Sequence, residues 1–324
     1  EEGLSGRAAA LRLRLSPATG ARWARQVRSM GHAKPAPQGP PRGRGKLAPH
    51  QAFFEELIAQ DADITLFELR DALAEAMQKY RAIGAAGVVL DVHTGEIIAM
   101  ASLPDYNPNQ PVDALKKDRL NRMSAGVYEM GSTFKTFTTA MALDSGKVSL
   151  KSRFDASKPL RVGRFTINDF HAKRRWLNVP DIFIYSSNIG TALLAEQVGI
   201  NAHQAFLGRL GLLDRMTGFE LPEVAKPQQP KQWRKINSVT ISYGHGVTTT
   251  PLQTAVAAAA LLNGGKRIPA TLLPRDEASA EKISSQVISP RTSDLMRYLF
   301  RLNVEKGSGK RSEVKGYRVG GKTG

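Results

Sequence analysis

Phe134 to Asp144 carries no charge between Lys135 and Asp144 and is closed by Ser145-Gly146. An apolar run of that length, ended by a stop signal, reads as a largely buried helix with Phe137, Ala140 and Met141 keeping one side apolar. Two polar residues stand at its mouth, Ser132 and Lys135. Positions i and i+3 share a helix face, so Lys135 is placed to take the proton from Ser132. Gly131 leaves the approach open, and the helix start adds partial positive charge and free amide hydrogens. Together these describe an activated serine nucleophile with a place for an acyl oxyanion. Alone the pattern is weak, because a serine near a helix start is more often a cap.

Two further pieces strengthen it. Ser186-Ser187-Asn188 falls in a turn between two helical stretches, and Lys322-Thr323-Gly324 follows the strand-like Tyr317-Arg318-Val319-Gly320-Gly321. These begin 54 and 190 residues beyond Ser132. In order and spacing the three match the set of serine penicillin-recognising enzymes. Two more stretches add to the likeness: Ala86-Gly87-Val88-Val89-Leu90-Asp91 with Thr94 to Ser102, and Ile241 to Gly246 with Thr250-Pro251-Leu252-Gln253. From about Ala85 to Gly324 the chain resembles the class B penicillin-binding proteins. Its S-S-N and S-Y-G-H-G forms are similar to the division-type members, whereas elongation-type members usually carry aspartate where Asn188 stands.

That resemblance implies an α+β fold of the penicillin-binding protein transpeptidase and serine β-lactamase kind: an antiparallel sheet flanked by helices, with an all-helical subdomain. It implies a peptidoglycan D,D-transpeptidase of septal cell-wall synthesis with no cofactor. Ser132 would be the nucleophile, Lys135 the base, and Ser186 a proton carrier between Lys135 and the leaving amine. Asn188 would bind the substrate peptide, Lys322 and Thr323 its terminal carboxylate, and Gly324 would leave room for its backbone. The partners implied are D-alanyl-D-alanine stem peptides, β-lactams, and divisome membrane proteins including a glycosyltransferase. The place implied is the bacterial inner membrane, with the catalytic domain in the periplasm and the anchor upstream of this chain. Because the sequence stops on the KTG glycine, the domain is expected to continue beyond it.

Composition narrows the alternatives. The absence of cysteine removes thiolate nucleophiles, disulfides and the usual zinc clusters, and six histidines without ligand spacing predict no metal. The longest apolar run, Ala255 to Leu262, is far below the ~20 residues needed to span a bilayer. Of the net charge of +17, residues 1–50 hold eight arginines and two lysines against two glutamates. This Ala/Gly/Pro-rich stretch reads as disordered or divergent. With Trp23 as its sole aromatic it lacks the interleaving of a single-strand binder, so no nucleic-acid partner is expected. The expected division is 1–60, where Glu1-Glu2-Gly3-Leu4-Ser5-Gly6 resembles the end of the class B pedestal and a basic segment follows, then 61–324, the transpeptidase domain.

Local signals place the motifs. Val88 to Asp91 and Glu96 to Ala101 around Thr94-Gly95 predict an antiparallel hairpin, with the KTG segment as a further strand of its sheet. A helix is expected from Leu69 to Tyr80, another from Val179-Pro180-Asp181, and a third from Ile189 to Val198 ended by Gly199. Thr250 with Gln253 forms a capping box ahead of an alanine-rich helix that Asn263-Gly264-Gly265 stops. His245 reads as a loop residue near the site, and Lys173-Arg174-Arg175 as a solvated basic face. Two other functions are weighed: a class D-like β-lactamase or β-lactam sensor, whose second motif ends in an aliphatic residue where Asn188 stands, and a non-catalytic division scaffold.

Overall fold

The structure, a computed structural model, describes residues 66–107 and 109–324. The basic segment 1–60 and the boundary assigned near residue 60 lie outside the described residues. In chain order the elements are α1 (Leu66–Tyr80), β1 (Ala85–Leu90), β2 (Ile97–Leu103), α2 (Phe134–Asp144), β3 (Arg153–Asp155), β4 (Leu160–Val162), β5 (Phe165–Ile167) and β6 (Trp176–Asn178). They continue as α3 (Val179–Ile184), α4 (Asn188–Val198), α5 (Ile200–Arg209), α6 (Lys235–Ser242), α7 (Pro251–Leu262), β7 (Lys266–Arg267), α8 (Glu277–Ile283), β8 (Ser285–Gln286) and α9 (Pro290–Lys306).

The expected hairpin is present. β1 and β2 pair antiparallel with Ala85 opposite Leu103 and a register shift at Leu90. Its turn is fixed by Asp91, whose Oδ1 accepts the amides of His93 and Thr94 at 2.7 and 3.1 Å. Alternate strand residues point to opposite faces. Gly87 therefore faces Leu69 and Leu73 of α1, while Ala86, Val88 and Leu90 meet Leu252 and Val256 of α7. A helix on each face shields this sheet.

The larger core is helical. Every residue of α2 from Phe134 to Leu143 is buried, because α4, α6 and α9 all pack around it. Burying a phenylalanine contributes ~2–3 kcal/mol, and Phe134, Phe137, Phe183 and Phe206 are each at most 2% exposed. Two of the three threonines of α2 are tolerated inside because their hydroxyls find carbonyls: Thr139 Oγ1 donates to Lys135 O at 2.7 Å, and Thr138 Oγ1 to Ser242 O at 2.8 Å.

Helix ends follow the sequence signals. Asn178 Oδ1 caps α3 by accepting Asp181 N, Thr250 Oγ1 caps α7 by accepting Gln253 N, and Gly199 ends α4 at φ +100°. Helices α5, α6, α8 and α9 were not assigned from sequence. The KTG prediction needs correction, since residues 317–324 form no strand. A ladder needs an extended neighbour, and this segment lies on a helix instead: Gly321 N donates to Phe300 O, Arg301 Nη1 to Val319 O, and Asn303 Nδ2 to Gly321 O at 2.8 Å. Among the described residues β1 and β2 remain a two-stranded sheet, extended by a parallel bridge from Glu96 to Thr271.

Candidate active site

Gly131–Thr133 forms one 3₁₀ turn running into α2. Side chains three apart eclipse in such a turn, so the chain direction that makes Ser132 half-buried sends Lys135 inward, where it is 2% exposed. The lysine does not donate to Ser132. Its Nζ donates to the carbonyl of Ser186 at 2.5 Å and to Ser186 Oγ at 3.0 Å. Ser132 Oγ has no hydrogen-bond partner among the described residues, which leaves the hydroxyl free toward a substrate.

Ser186 is the meeting point. From the other end of the chain, Lys322 Nζ donates to the same Oγ at 3.0 Å and to Thr323 O at 3.0 Å. With both ammoniums donating, the lone pairs of this hydroxyl are occupied, and its proton is left to be given elsewhere. Two cations on one oxygen, removed from water, cannot both hold their charge cheaply. Burial first and the charge of Lys322 second bring Lys135 from its ordinary 10.5 down to about 7, with Asp169 opposing the shift. Burial alone takes Lys322 down to about 8. At neutral pH much of the Lys135 population is a free amine, which is what a proton acceptor requires.

The S-S-N turn is built to present Ser186. That residue sits at φ +54°, a left-handed conformation uncommon for a side chain larger than hydrogen. Ser187, not Asn188, caps α4, with its Oγ accepting Gly190 N at 2.9 Å. Asn188 is half-buried and spends one Nδ2 hydrogen on Asn168 O at 2.9 Å, leaving its side-chain carbonyl available. Thr323 and Gly324 are exposed; Thr323 Oγ1 meets Ser308 Oγ at 2.9 Å, and Gly324 lies beside Met130 and Thr133. Of the seven residues expected from sequence, hydrogen bonds join Lys135, Ser186, Lys322 and Thr323, and Gly324 lies against the turn that carries Ser132; Asn188 bonds to Asn168 instead, and Ser132 and Lys135 are not hydrogen-bonded to each other.

Sequence reasoning missed several supports. Glu129 is gripped from the 243–246 loop: its Oε2 accepts His245 Nδ1 at 3.0 Å and its Oε1 accepts Gly246 N at 2.7 Å. Those bonds hold its carboxyl below the usual carboxylate range. His245 is therefore a loop residue with a specific partner. Asn303 is fully buried and bonds to Gly321 and Ser308, positioning the KTG segment. An asparagine on the apolar stripe Met296, Leu299, Phe300, Val304 was the signal for it. Asp169, the one acid in the cation-rich stretch 156–175, ties down the S-S-N turn. The basic run 173–175 is exposed as expected, with Lys173 over the Tyr185 ring and Arg175 paired to Asp181 at 3.1 Å. Among the described residues no group of three or more His, Asp or Glu could hold a metal ion.

A serine that receives two depressed lysines, beside the mouth of a buried helix, defines a penicillin-recognising acyl-transfer domain. Residues 85–324 match the penicillin binding protein transpeptidase domain, and the chain belongs to that family, on its class B, division-type side. It is 44% identical over 261 residues to the probable peptidoglycan D,D-transpeptidase FtsI of Caulobacter vibrioides, covering 79% of this chain and 44% of that protein. It is 30% identical over 261 residues to peptidoglycan D,D-transpeptidase FtsI of Escherichia coli, covering 78% of this chain and 42% of that one. The chain thus spans less than half the length of these two relatives. The transpeptidase domain of Burkholderia pseudomallei penicillin-binding protein 3 superposes with a TM-score of 0.67 at 29% identity, over 77% of this chain and 71% of that one.

Proposed function

We propose that this chain carries the transpeptidase centre of a septal peptidoglycan D,D-transpeptidase, with residues 61–324 as its domain. The observation that carries the reading is the placement of Ser186 Oγ 3.0 Å from both Lys135 Nζ and Lys322 Nζ, with Ser132 uncommitted at the mouth of the helix that bears Lys135. The Ser132 oxygen attacks the carbonyl carbon of the penultimate D-alanine while its proton moves to neutral Lys135. Through Ser186 that proton reaches the departing nitrogen, the C–N bond breaks, and D-alanine leaves. An amine of a neighbouring stem peptide then attacks the ester, restores the Ser132 hydroxyl and completes the crosslink. Lys322 and Thr323 attract the terminal carboxylate, Asn188 offers its carbonyl to a substrate amide, and Gly324 keeps the approach clear. β-Lactams enter as mimics of that carbonyl and carboxylate.

The whole protein is proposed to act at the inner membrane with its catalytic domain in the periplasm, beside divisome membrane proteins including a glycosyltransferase. Among the described residues no helix is long and apolar enough to cross a membrane. A fluorescent penicillin tests the reading. Lasting label on Ser132 that disappears in Ser132→Ala supports it; label that turns over supports a hydrolase. An adduct on another residue, found by intact-mass and peptide analysis, would refute the assignment.

A further inference from the structure

Asp169 stands outside the three motifs, in the connection after β5, yet its carboxylate brackets the second motif. Oδ2 accepts Ser187 Oγ at 2.8 Å and Oδ1 accepts Ile189 N at 2.9 Å, one oxygen on either side of Asn188. Ser187 Oγ, by accepting Gly190 N, is left with its proton for Asp169 alone. The adjacent Asn168 carbonyl takes Asn188 Nδ2. Residues 168 and 169 therefore anchor 187, 188 and 189 together. A left-handed non-glycine conformation persists only where its surroundings over-determine it. These bonds are the surroundings of Ser186, whose carbonyl and hydroxyl both receive Lys135.

We propose that Asp169 is a positioning residue for acyl transfer, holding the second-motif turn so that Ser186 stays aimed at Lys135, and that its negative charge acts on the Lys135 ammonium. The inference rests on the transpeptidase reading above. The charged groups acting on Lys135 are Lys322, from the C-terminal segment, and Asp169. Elsewhere around α2 the charges are spent locally: Glu196 of α4 pairs with Lys235 of α6 at 3.0 Å, Asp181 of α3 with Arg175, Arg209 of α5 lies over the Phe206 ring, and on α9 Asp294 pairs with Arg297 and Glu305 with Arg301. Burial and Lys322 favour the free amine, and Asp169 favours the ammonium. Asp169 thereby raises the pH at which Lys135 becomes a base, against the larger pull of burial.

The test is D169N in the full chain, read two ways. The first is the Lys135 titration by NMR of chain carrying ¹³C at lysine Cε, with the resonance assigned by its loss in K135A. The second is the rate of penicillin acylation. D169N is expected to move the Lys135 titration to lower pH by about half a unit or more and to slow acylation about tenfold. D169E, which keeps the charge on a longer stem, should return the titration toward its original position while acylation stays slow. A purely structural role would slow both variants equally and leave the titration in place, which overturns the electrostatic half. Acylation at the parent rate in folded D169N overturns the positioning half. The titration needs no turnover, so failure of the parent chain to label counts against the transpeptidase reading alone. Should D169N not fold, S187A removes one bond and keeps the charge: slowed acylation with an unmoved titration supports the proposal, and an unchanged rate overturns it.

Discussion

Gly244 lies so close to Gly131 that a Cβ on residue 244 would stand 1.9 Å from the Gly131 carbonyl oxygen. Gly244 also has φ +96°, where L side chains are strained. Gly244→Ala must push the backbone ahead of Ser132, and the nucleophile with it. Displacement of a reacting atom by ~1 Å costs roughly 10²-fold in rate, and strain of this kind about 1–3 kcal/mol. The variant should melt lower and acylate about a hundredfold more slowly. A folded G244A that acylates at the parent rate would show that this contact does not position the nucleophile.

Lys135 trades stability for chemistry. Its folded value of about 7 lies below the ordinary 10.5, so between those limits the unfolded chain binds more protons and stability rises with pH. At neutral pH the buried lysine is a burden. Lys135→Met should stabilise the fold by about 1–3 kcal/mol in urea and lose roughly 10²- to 10⁴-fold in acylation. In the parent, acylation should climb through pH 7 and level off above it, as the ammonium gives way to the amine. A rate that falls across that window contradicts the base assignment.

Asn303 holds the KTG segment to α9, and Asn303→Ala leaves the Gly321 carbonyl and Ser308 without their buried partner. Stability should drop by about 1–3 kcal/mol. The concentration of penicillin giving half-maximal labelling should rise more than the limiting rate falls, because Lys322 and Thr323 serve capture of the carboxylate. Titration of labelling against penicillin separates the two, and a loss confined to the limiting rate would contradict the capture role.

His203 is fully buried against Trp233, its Nδ1 is 2.9 Å from Ser238 Oγ, and its Nε2 has no partner among the described residues. Burial pushes it from 6.5 down to about 4. The neutral ring is thus the folded form, and its contribution is complete above pH 6.5 and lost progressively as pH falls toward 4. The loss approaches about 3 kcal/mol. His203→Gln should flatten this part of the pH–stability curve; an unchanged slope would place the effect elsewhere.

The short-range grammar of this chain was legible. The helix start at Val179-Pro180-Asp181, the cap at Thr250, the stop at Gly199, the hairpin around Thr94-Gly95 and the buried α2 all follow from neighbours a few residues apart, and the structure shows each. The three motifs were legible too, since their spacing is itself a pattern. What stayed hidden depends on partners far along the chain. Nothing near Asp169 announces Ser187, and nothing near Glu129 announces His245. The extended look of 317–321 suggested a strand, because a sequence shows that a segment is extended without showing whether a strand or a helix lies beside it.

Ser186 is reached by Lys135 from 51 residues upstream and by Lys322 from 136 residues downstream. Three distant stretches must therefore arrive at one oxygen before the chemistry exists, and no locally ordered piece of the chain can imitate it. A covalent penicillin label then works as a census: it counts molecules whose long-range topology is complete and passes over those with intact helices and unfinished assembly. For a chain like this, the fraction labelled at saturation is a head-count of native molecules that neither circular dichroism nor solubility can provide.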